Sequence, residues 1–285
     1  MSLISSNFIQ RLFMGSILSI LICAVIYLSH DPLFQPVFVL VVAFVIAGSL
    51  WEYYKIAKAS GHEPVETIGI VGSVAYVYAL YLSMGQNTLV EWPLLIIGLT
   101  VLSVFLFYFF SGISPLVNLA VTVFGMIYLT IPLSAMLPIN IDYGRYWMLY
   151  LILVTKSTDI GAYFGGKQLG RHKLAPIISP KKTWEGAVAG FLLGTFTSYL
   201  LHKISIEYYG EPLFSSSLLS LGFGALMAVI AQIGDLSESL LKRDSGVKDS
   251  NRLPGFGGIL DMVDSLVFTA PLLYMFLSVT RIKTG

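Results

Sequence analysis

The chain has 285 residues, of which 56% are hydrophobic and only 12% charged, and its mean hydropathy is +0.80. A soluble domain carries about 25% charged residues, so half that density over this length excludes an ordinary soluble fold and indicates a polytopic membrane protein. The formal net charge of +1 names no partner. The single cysteine, Cys23, excludes an intrachain disulfide, and His30, His62, His172 and His202 lack the spacing of a Cys/His zinc site.

A spanning helix needs about 20 mostly apolar residues. By that rule the chain is all-α, with about nine transmembrane helices at 12–28, 33–51, 65–83, 92–110, 115–133, 146–165, 184–201, 218–240 and 258–280. The first run is longer than a signal-peptide core and is followed by LSHDP rather than a small-x-small cleavage site, so it reads as a retained helix. Pro- and Gly-bearing stretches at 30–32, 111–115 and 137–140 punctuate the spans. Nine crossings put the N-terminal segment and loops 52–64, 111–114, 166–183 and 241–257 on one side. That side holds twelve of the 17 Lys and Arg, against four on the other and Lys156 within a span. The positive-inside rule then makes the twelve-cation side, and the N-terminus, cytoplasmic. Residues 1–145 read as a hydrophobic scaffold and dimerisation half. Residues 146–285, with nearly all the concentrated polar sequence, read as the catalytic half.

Two polar regions stand out. In 155–186, Lys156, Asp159 and Tyr163 share one helical face. Charges inside a span are costly and mark function by default, although a Lys–Asp pair with a snorkelling Lys156 is the plainer account. Ser157, Gly161 and Gly165 recur every four residues, which permits close helix packing. Beyond them come Lys167, Arg171, His172 and Lys173, then Ser179-Pro180-Lys181-Lys182-Thr183. These cations fit a topology signal or an anionic-lipid patch, but the lysines and hydroxyls are packed around Pro180. Thr183 is placed to cap the next helix, which would make the cluster a phosphate cradle at a helix N-terminus.

The second region is 235–268. Asp235, Ser239 and Lys242 fall on one helical face, and Asp235 sits about two turns before the charged loop. An acid at the membrane edge is either ion-paired or a metal ligand. A loop with Lys242, Arg243, Asp244, Lys248, Asp249 and Arg252 leads to the glycine-rich turn 253–258, and Asp261 and Asp264 follow in the first turns of the last helix. The helix dipole accounts comfortably for one of those two acids, less well for both on one face. Together Asp159, Asp235, Asp261 and Asp264 are hard oxygen ligands suited to Mg²⁺, and the lysines and arginines suit phosphate oxygens. The chemistry they point to is phosphoryl or nucleotidyl transfer. Neither a Walker A sequence nor GxGxxG is present.

On these residues the chain resembles the phosphatidate cytidylyltransferases (CDP-diacylglycerol synthases). Their C-terminal signature is matched by Ser239, Leu241, Lys242, Arg243, Lys248, Asp249, Pro254, Gly255, Gly257, Gly258, Ile259, Asp261, Val263 and Asp264. The family's earlier blocks are matched by Asp159, Gly161, Ala162 and Tyr163, by His172 to Pro176, and by Ser179, Pro180, Lys182, Thr183, Glu185 and Gly186. The Gly234-Asp235 pair fits as well. Phe256 stands where that pattern has His and Met262 where it has Arg, and the spacer around Asn251 is one residue short. The motif match covers about the last 130 residues; over 1–145 only size and hydrophobicity agree.

The resemblance implies transfer of the cytidylyl group from CTP to phosphatidate, giving CDP-diacylglycerol and pyrophosphate in phospholipid biosynthesis. It implies Mg²⁺, alone or with a second cation, held by Asp235, Asp261 and Asp264. Asp159, Tyr163, Lys173, Ser179, Lys181, Lys182 and Thr183 would cradle the nucleotide phosphates. Lys242, Arg243 and Lys248 would hold the lipid phosphate or the leaving group, with Asp249 orienting them. The implied setting is a homodimer in the cell's inner (cytoplasmic) membrane, with its site facing the cytoplasm and no nucleic-acid partner. A CTP-dependent lipid kinase is the alternative enzyme. A cation-coupled transporter is disfavoured, because the halves differ and the acids lie near helix ends.

Overall fold

A computed structural model describes residues 20–84, 91–210, 212–246 and 258–284. Helix α1 (20–28) is the described part of the first expected span. It is followed by α2 (Gln35–Ala59), α3 (Glu66–Ser83), α4 (Trp92–Ser111), α5 (Pro115–Gly125), a π-helical turn (Met126–Thr130), α6 (Ile131–Ser134) and α7 (Met136–Ile141). The second half adds α8 (Arg145–Leu169), strands β1 (Lys173–Ala175) and β2 (Ser179–Thr183), α9 (Trp184–Tyr209), α10 (Ser217–Asp244) and α11 (Ile259–Thr284). Among the described residues, seven helical segments are long and apolar enough to cross a membrane, with α5 to α7 counting as one. The protein is therefore a polytopic, all-α membrane protein. Helix α8 is long enough but is not one of the seven. Its middle carries Lys156, Ser157, Thr158 and Asp159, which lower its apolar character.

Two expected loops are shorter than the hydropathy pattern predicts. The loop expected at 52–64 starts only at Ser60, because α2 continues through Trp51–Ala59. That extension buries Glu52, Tyr53, Tyr54, Ile56 and Ala57, and Lys55 lies over the Trp51 ring at 3.3 Å, so amphipathic packing sustains a helix that hydropathy alone ends early. The loop expected at 166–183 starts after Leu169 and contains an antiparallel ribbon, β1 against β2, with Lys173 opposite Thr183 and Ala175 opposite Ser179.

The chain forms two compact units, Met1–Arg145 with Asp244–Val263, and Tyr146–Arg243 with Asp264–Gly285. In the first, α3 packs against both α2 and α4. Tyr54 donates its hydroxyl to Thr122 O at 2.9 Å, Tyr108 donates to Glu63 O at 2.6 Å, and Asn118 Oδ1 accepts from Glu63 N–H at 2.8 Å. These bonds satisfy backbone groups that lipid would leave open. Helix α4 is the most apolar segment, yet only 17% of its most apolar window is buried within the protein. Phe109 and Phe110 are exposed, as lipid-facing side chains are.

In the second unit α8 and α9 meet backbone to backbone. A Cβ on Gly190 would lie 2.7 Å from Thr158 O, and one on Gly186 would lie 2.7 Å from Ala162 O. Gly161 faces Ala189 O and Gly190 Cα at 2.9 and 3.0 Å. The four-residue glycine spacing of α8 is thus answered by Gly186, Gly190 and Gly194 on α9, a small-residue seam of the membrane type. Around α8's other end, Trp147, Tyr150, Phe214, Phe223 and Phe276 form an aromatic cluster in which Phe223 and Phe276 stack at 4.2 Å. Gly190→Val is expected to pry α8 from α9 at a cost of about 1–3 kcal/mol. A lowered melting temperature of the detergent-solubilised protein, compared with Gly98→Val at an open position, checks this.

Candidate active site

The ribbon and the helices beside it enclose a cavity of about 500 Å³ within the second unit. Small-molecule pockets are about 300–1,000 Å³. Its polar lining is Asp159, Lys167, Ser179, Lys181, Lys182 and Thr183, joined by Tyr163, Gln232 and Asp235, with Ala162, Leu174 and Ala187 as apolar wall. Six of the seven residues expected to cradle nucleotide phosphates therefore share one cavity. Lys173, the seventh, is exposed at the start of β1 and does not line it.

Local chemistry explains how the ribbon is held. Thr183 is the N-cap of α9, and its Oγ1 accepts from Gly186 N–H at 3.2 Å. Trp184 N–H donates to His172 O at 3.0 Å. These first amides of α9 are already engaged, so binding of an anion here falls to side chains rather than to a bare helix N-terminus. Glu185 accepts from the N–H groups of Arg171 and His172, at 3.1 and 3.2 Å, and lies 2.6 Å from His172 Nδ1. One carboxylate thus pins the entrance of the ribbon. Arg243 Nε donates to Ile178 O at 3.0 Å and ties the ribbon's turn to the end of α10.

The acids are brought together by a close helix approach. A Cβ on Gly234 would strike Asp264 O at 2.5 Å and Ser265 Cα at 3.1 Å, so only glycine lets α10 and α11 touch there. Asp235 follows on one side of the contact and Asp264 stands on the other. Asp264 is buried and lies in the electrostatic field of Asp235, Lys156 and Asp159. Ser265 Oγ is 3.0 Å from Asp159 Oδ1 and 3.1 Å from Asp264 Oδ1, linking the two carboxylates. Lys156 pairs with Asp159 at 3.0 Å and Lys182 with Asp235 at 2.8 Å. Lys167 and Lys181 line the same cavity as Asp159 and Asp235, so lysines and carboxylates face it together. Among the described residues no three His, Cys, Asp or Glu converge as a formed metal site.

The remaining expected residues are placed differently. Lys242 is buried and pairs with Glu238 at 2.6 Å one turn earlier on α10. Asp261 lies in the first turn of α11, in the other compact unit, and its Oδ2 accepts from Gly258 N–H at 3.1 Å. Lys248, Asp249 and Phe256 lie outside the described residues. Two residues near the site were not singled out from sequence. Gln232 sits one turn before Asp235 on α10, and its amide donates to Ala187 O and Ala228 O at 3.2 Å. Its polar character in an apolar span was the available signal. Ser265 carried no such signal, since a serine beside an aspartate is ordinary, and Glu185 was matched to the family block without a role.

The fold is that of a membrane-embedded protein, and its cavity sets three lysines and the hydroxyls of Ser179 and Thr183 beside two aspartates. The cytidylyltransferase family model matches residues 9–280, and the chain belongs to that family. It is a nucleotidyltransferase. It is similar to the phosphatidate cytidylyltransferase of Chlamydia pneumoniae, with 32% identity over 289 residues covering 96% of this chain and 93% of the relative. It is also similar to the enzymes of that name from Rickettsia bellii, 40% identical over 53% of this chain and 66% of the relative, and Brucella suis, 43% identical over 47% of each.

Glu185→Ala should release the ribbon entrance. Amide hydrogen exchange at Arg171 and His172 is expected to rise by about tenfold or more, while exchange within α9 beyond its first turn stays at the wild-type level.

Proposed function

We propose that this protein transfers the cytidylyl group of CTP to phosphatidate, releasing pyrophosphate and forming CDP-diacylglycerol. The observation that carries the reading is the cavity in which Lys167, Lys181 and Lys182 face Asp159 and Asp235 beside the buried Asp264, in a chain of the cytidylyltransferase family. A phosphate oxygen of the lipid attacks the α-phosphorus of CTP. The bond from that phosphorus to the bridging oxygen of the β-phosphate breaks, and pyrophosphate leaves with the electron pair. A phosphate monoester is already anionic at neutral pH, so no side chain has to remove a proton from the nucleophile. That suits a chain with Phe256 where the resembling pattern has histidine.

The lysines, with the hydroxyls of Ser179 and Thr183, orient the triphosphate and offset charge that builds on the leaving group. Lys182 is held by Asp235 before substrate arrives. A triphosphate in the cavity would draw Lys182 toward its oxygens and release the Asp235 carboxylate. Asp235, Asp261 and Asp264 are proposed to hold Mg²⁺ through the match to the family motifs, their carboxylates being the hard oxygen donors that ion takes. Bound there, the ion supplies charge neutralisation of the phosphates. Lys242, Arg243, Lys248 and Asp249 are proposed for the lipid phosphate and leaving group through the match to the family signature.

The membrane setting follows the same reading. Nine crossings, a cytoplasmic N-terminus and an inner-membrane location facing cytosolic CTP are supported by the bias of Lys and Arg to one side. A homodimer is proposed from the family resemblance. The competing lipid-kinase reading makes a different label prediction. With purified protein and phosphatidate, α-labelled CTP is expected to put label into lipid, while γ-label appears only in pyrophosphate. Label from the γ position in lipid, without α-label, would replace the proposed reaction with a kinase reaction. Asp235→Asn is expected to cut turnover by on the order of 10²-fold or more with membrane insertion intact; turnover near the wild-type rate would remove Asp235 from the site.

A further inference from the structure

Gln232 is a neutral polar side chain in an otherwise apolar stretch of α10, GALMAVIAQIG. Inside a span, such a side chain bonds to neighbouring helices. The glutamine amide has two N–H donors and one carbonyl oxygen. Here Nε2 donates to Ala187 O on α9 and to Ala228 O one turn back on α10, both at 3.2 Å. Both donors are therefore committed to backbone carbonyls.

That commitment fixes which way the amide faces. Turning it over would bring Oε1 against the same two carbonyl oxygens, acceptor to acceptor. Oε1 accepts no hydrogen bond from the described residues and is not sealed in the interior. Gln232 lines the cavity of the candidate active site. The cavity thus receives a neutral acceptor that cannot turn into a donor.

The other polar groups of the lining behave differently. Lys167, Lys181 and Lys182 are charged donors, suited to phosphate oxygens. Asp159 and Asp235 are charged acceptors, already paired with Lys156 and Lys182. A hydroxyl such as that of Ser179 rotates to donate or accept as its partner requires, so it does not tell an amine from a keto oxygen. A locked carbonyl does. Phosphate oxygens are acceptors themselves, so Gln232 offers nothing to the triphosphate. Its match on a nucleotide is an N–H donor of the base. Ala187, whose carbonyl Gln232 holds, lines the cavity together with Ala162, and this apolar wall can take the face of a base. Cytosine carries an amino group at C4 where uracil carries a keto oxygen.

We propose that Gln232 selects the base of the nucleotide. Its Oε1 accepts from the 4-amino group of cytosine and rejects uracil, whose 4-keto oxygen would face it acceptor to acceptor. The proposal rests on the reading of this cavity as the CTP site. It goes further by assigning base recognition to a residue outside the matched family motifs. A site built to hydrogen-bond one partner leaves its polar group unpaired with the wrong one, which discriminates more strongly than shape.

The test measures equilibrium binding of CTP, UTP and dCTP to purified full-length protein in detergent, at one fixed Mg²⁺ concentration. The wild type is expected to bind CTP at least about tenfold more tightly than UTP. Gln232→Met keeps the length of the side chain and removes the amide. It should lower the CTP-to-UTP preference by about tenfold and leave the CTP-to-dCTP ratio unchanged. Gln232→Leu should do the same, and it carries the test if Gln232→Met does not insert. Equal weakening of CTP and UTP would overturn the proposal, because it marks loss of the α9–α10 bridge alone. So would a wild type without preference for CTP, or a shift confined to the CTP-to-dCTP ratio, which would put Oε1 on the ribose. The α- and γ-label measurement separates base selection from the reaction. Label from the γ position alone in lipid, with the base preference lost in Gln232→Met, would overturn cytidylyl transfer and leave base selection standing. Label from the α position in lipid, with the base preference unmoved in the variant, would overturn base selection alone.

Discussion

A carboxylate carried on a lipid-crossing helix must be answered, because leaving one uncompensated in a low-dielectric interior costs several kcal/mol or more (~3–5 when a partner is removed). The functional architecture of this protein can be read as a set of such answers. Asp159 is met by Lys156 and Ser265, Asp235 by Lys182, Glu238 by Lys242, and Glu52 by two helix amides. Asp264, buried as well, is met by Ser265, whose N–H and Oγ both donate to its Oδ1, with two carboxylates and one lysine as the surrounding charges.

Small residues make that arrangement reachable. Carboxylates on α10 and α11 approach only because Gly234 presents bare backbone to Asp264 and Ser265. The α8–α9 seam serves the same end, since it fixes Asp159 and Tyr163 against the helix that Thr183 caps. In lipid, where apolar burial gives helices little reason to associate, close backbone packing is one of the few forces left. The glycines therefore place Asp159, Asp235 and Asp264 as well as the helices that carry them.

Much of this was legible in the sequence. Each described apolar run of about 20 residues became a helix, because lipid permits little else. The Ser179–Thr183 cluster stood out because lysines and hydroxyls crowd one short stretch, and Ser179, Lys181, Lys182 and Thr183 line one cavity. What escaped notice depended on distance or on small local balances. Glu52 meets Ile259 across 207 residues, and no periodicity reports such a pairing. The ribbon is too short and polar for an alternation signal. Lys242 was grouped with Asp235 by its helical face, whereas it pairs with Glu238, a Glu-before-Lys spacing of four that ranks among the stronger local preferences on a helix.

The pairing of lysines with aspartates also bears on why an enzyme of this kind can stay folded before substrate arrives. A site that must hold both a polyphosphate and a cation needs unlike charges close together, and either set alone would repel itself. Lys182 and Asp235 at 2.8 Å neutralise one another in the free protein. Their side chains are 23% and 40% exposed, against 9% and 4% for Lys242 and Glu238. Of the two pairs, theirs is therefore the one that a phosphate reaching Lys182 would open more readily. By contrast the Lys242–Glu238 pair is almost wholly buried. Exchanging its partners would require desolvated charges to separate, so a lipid phosphate approaching Lys242 would meet a lysine already held by Glu238.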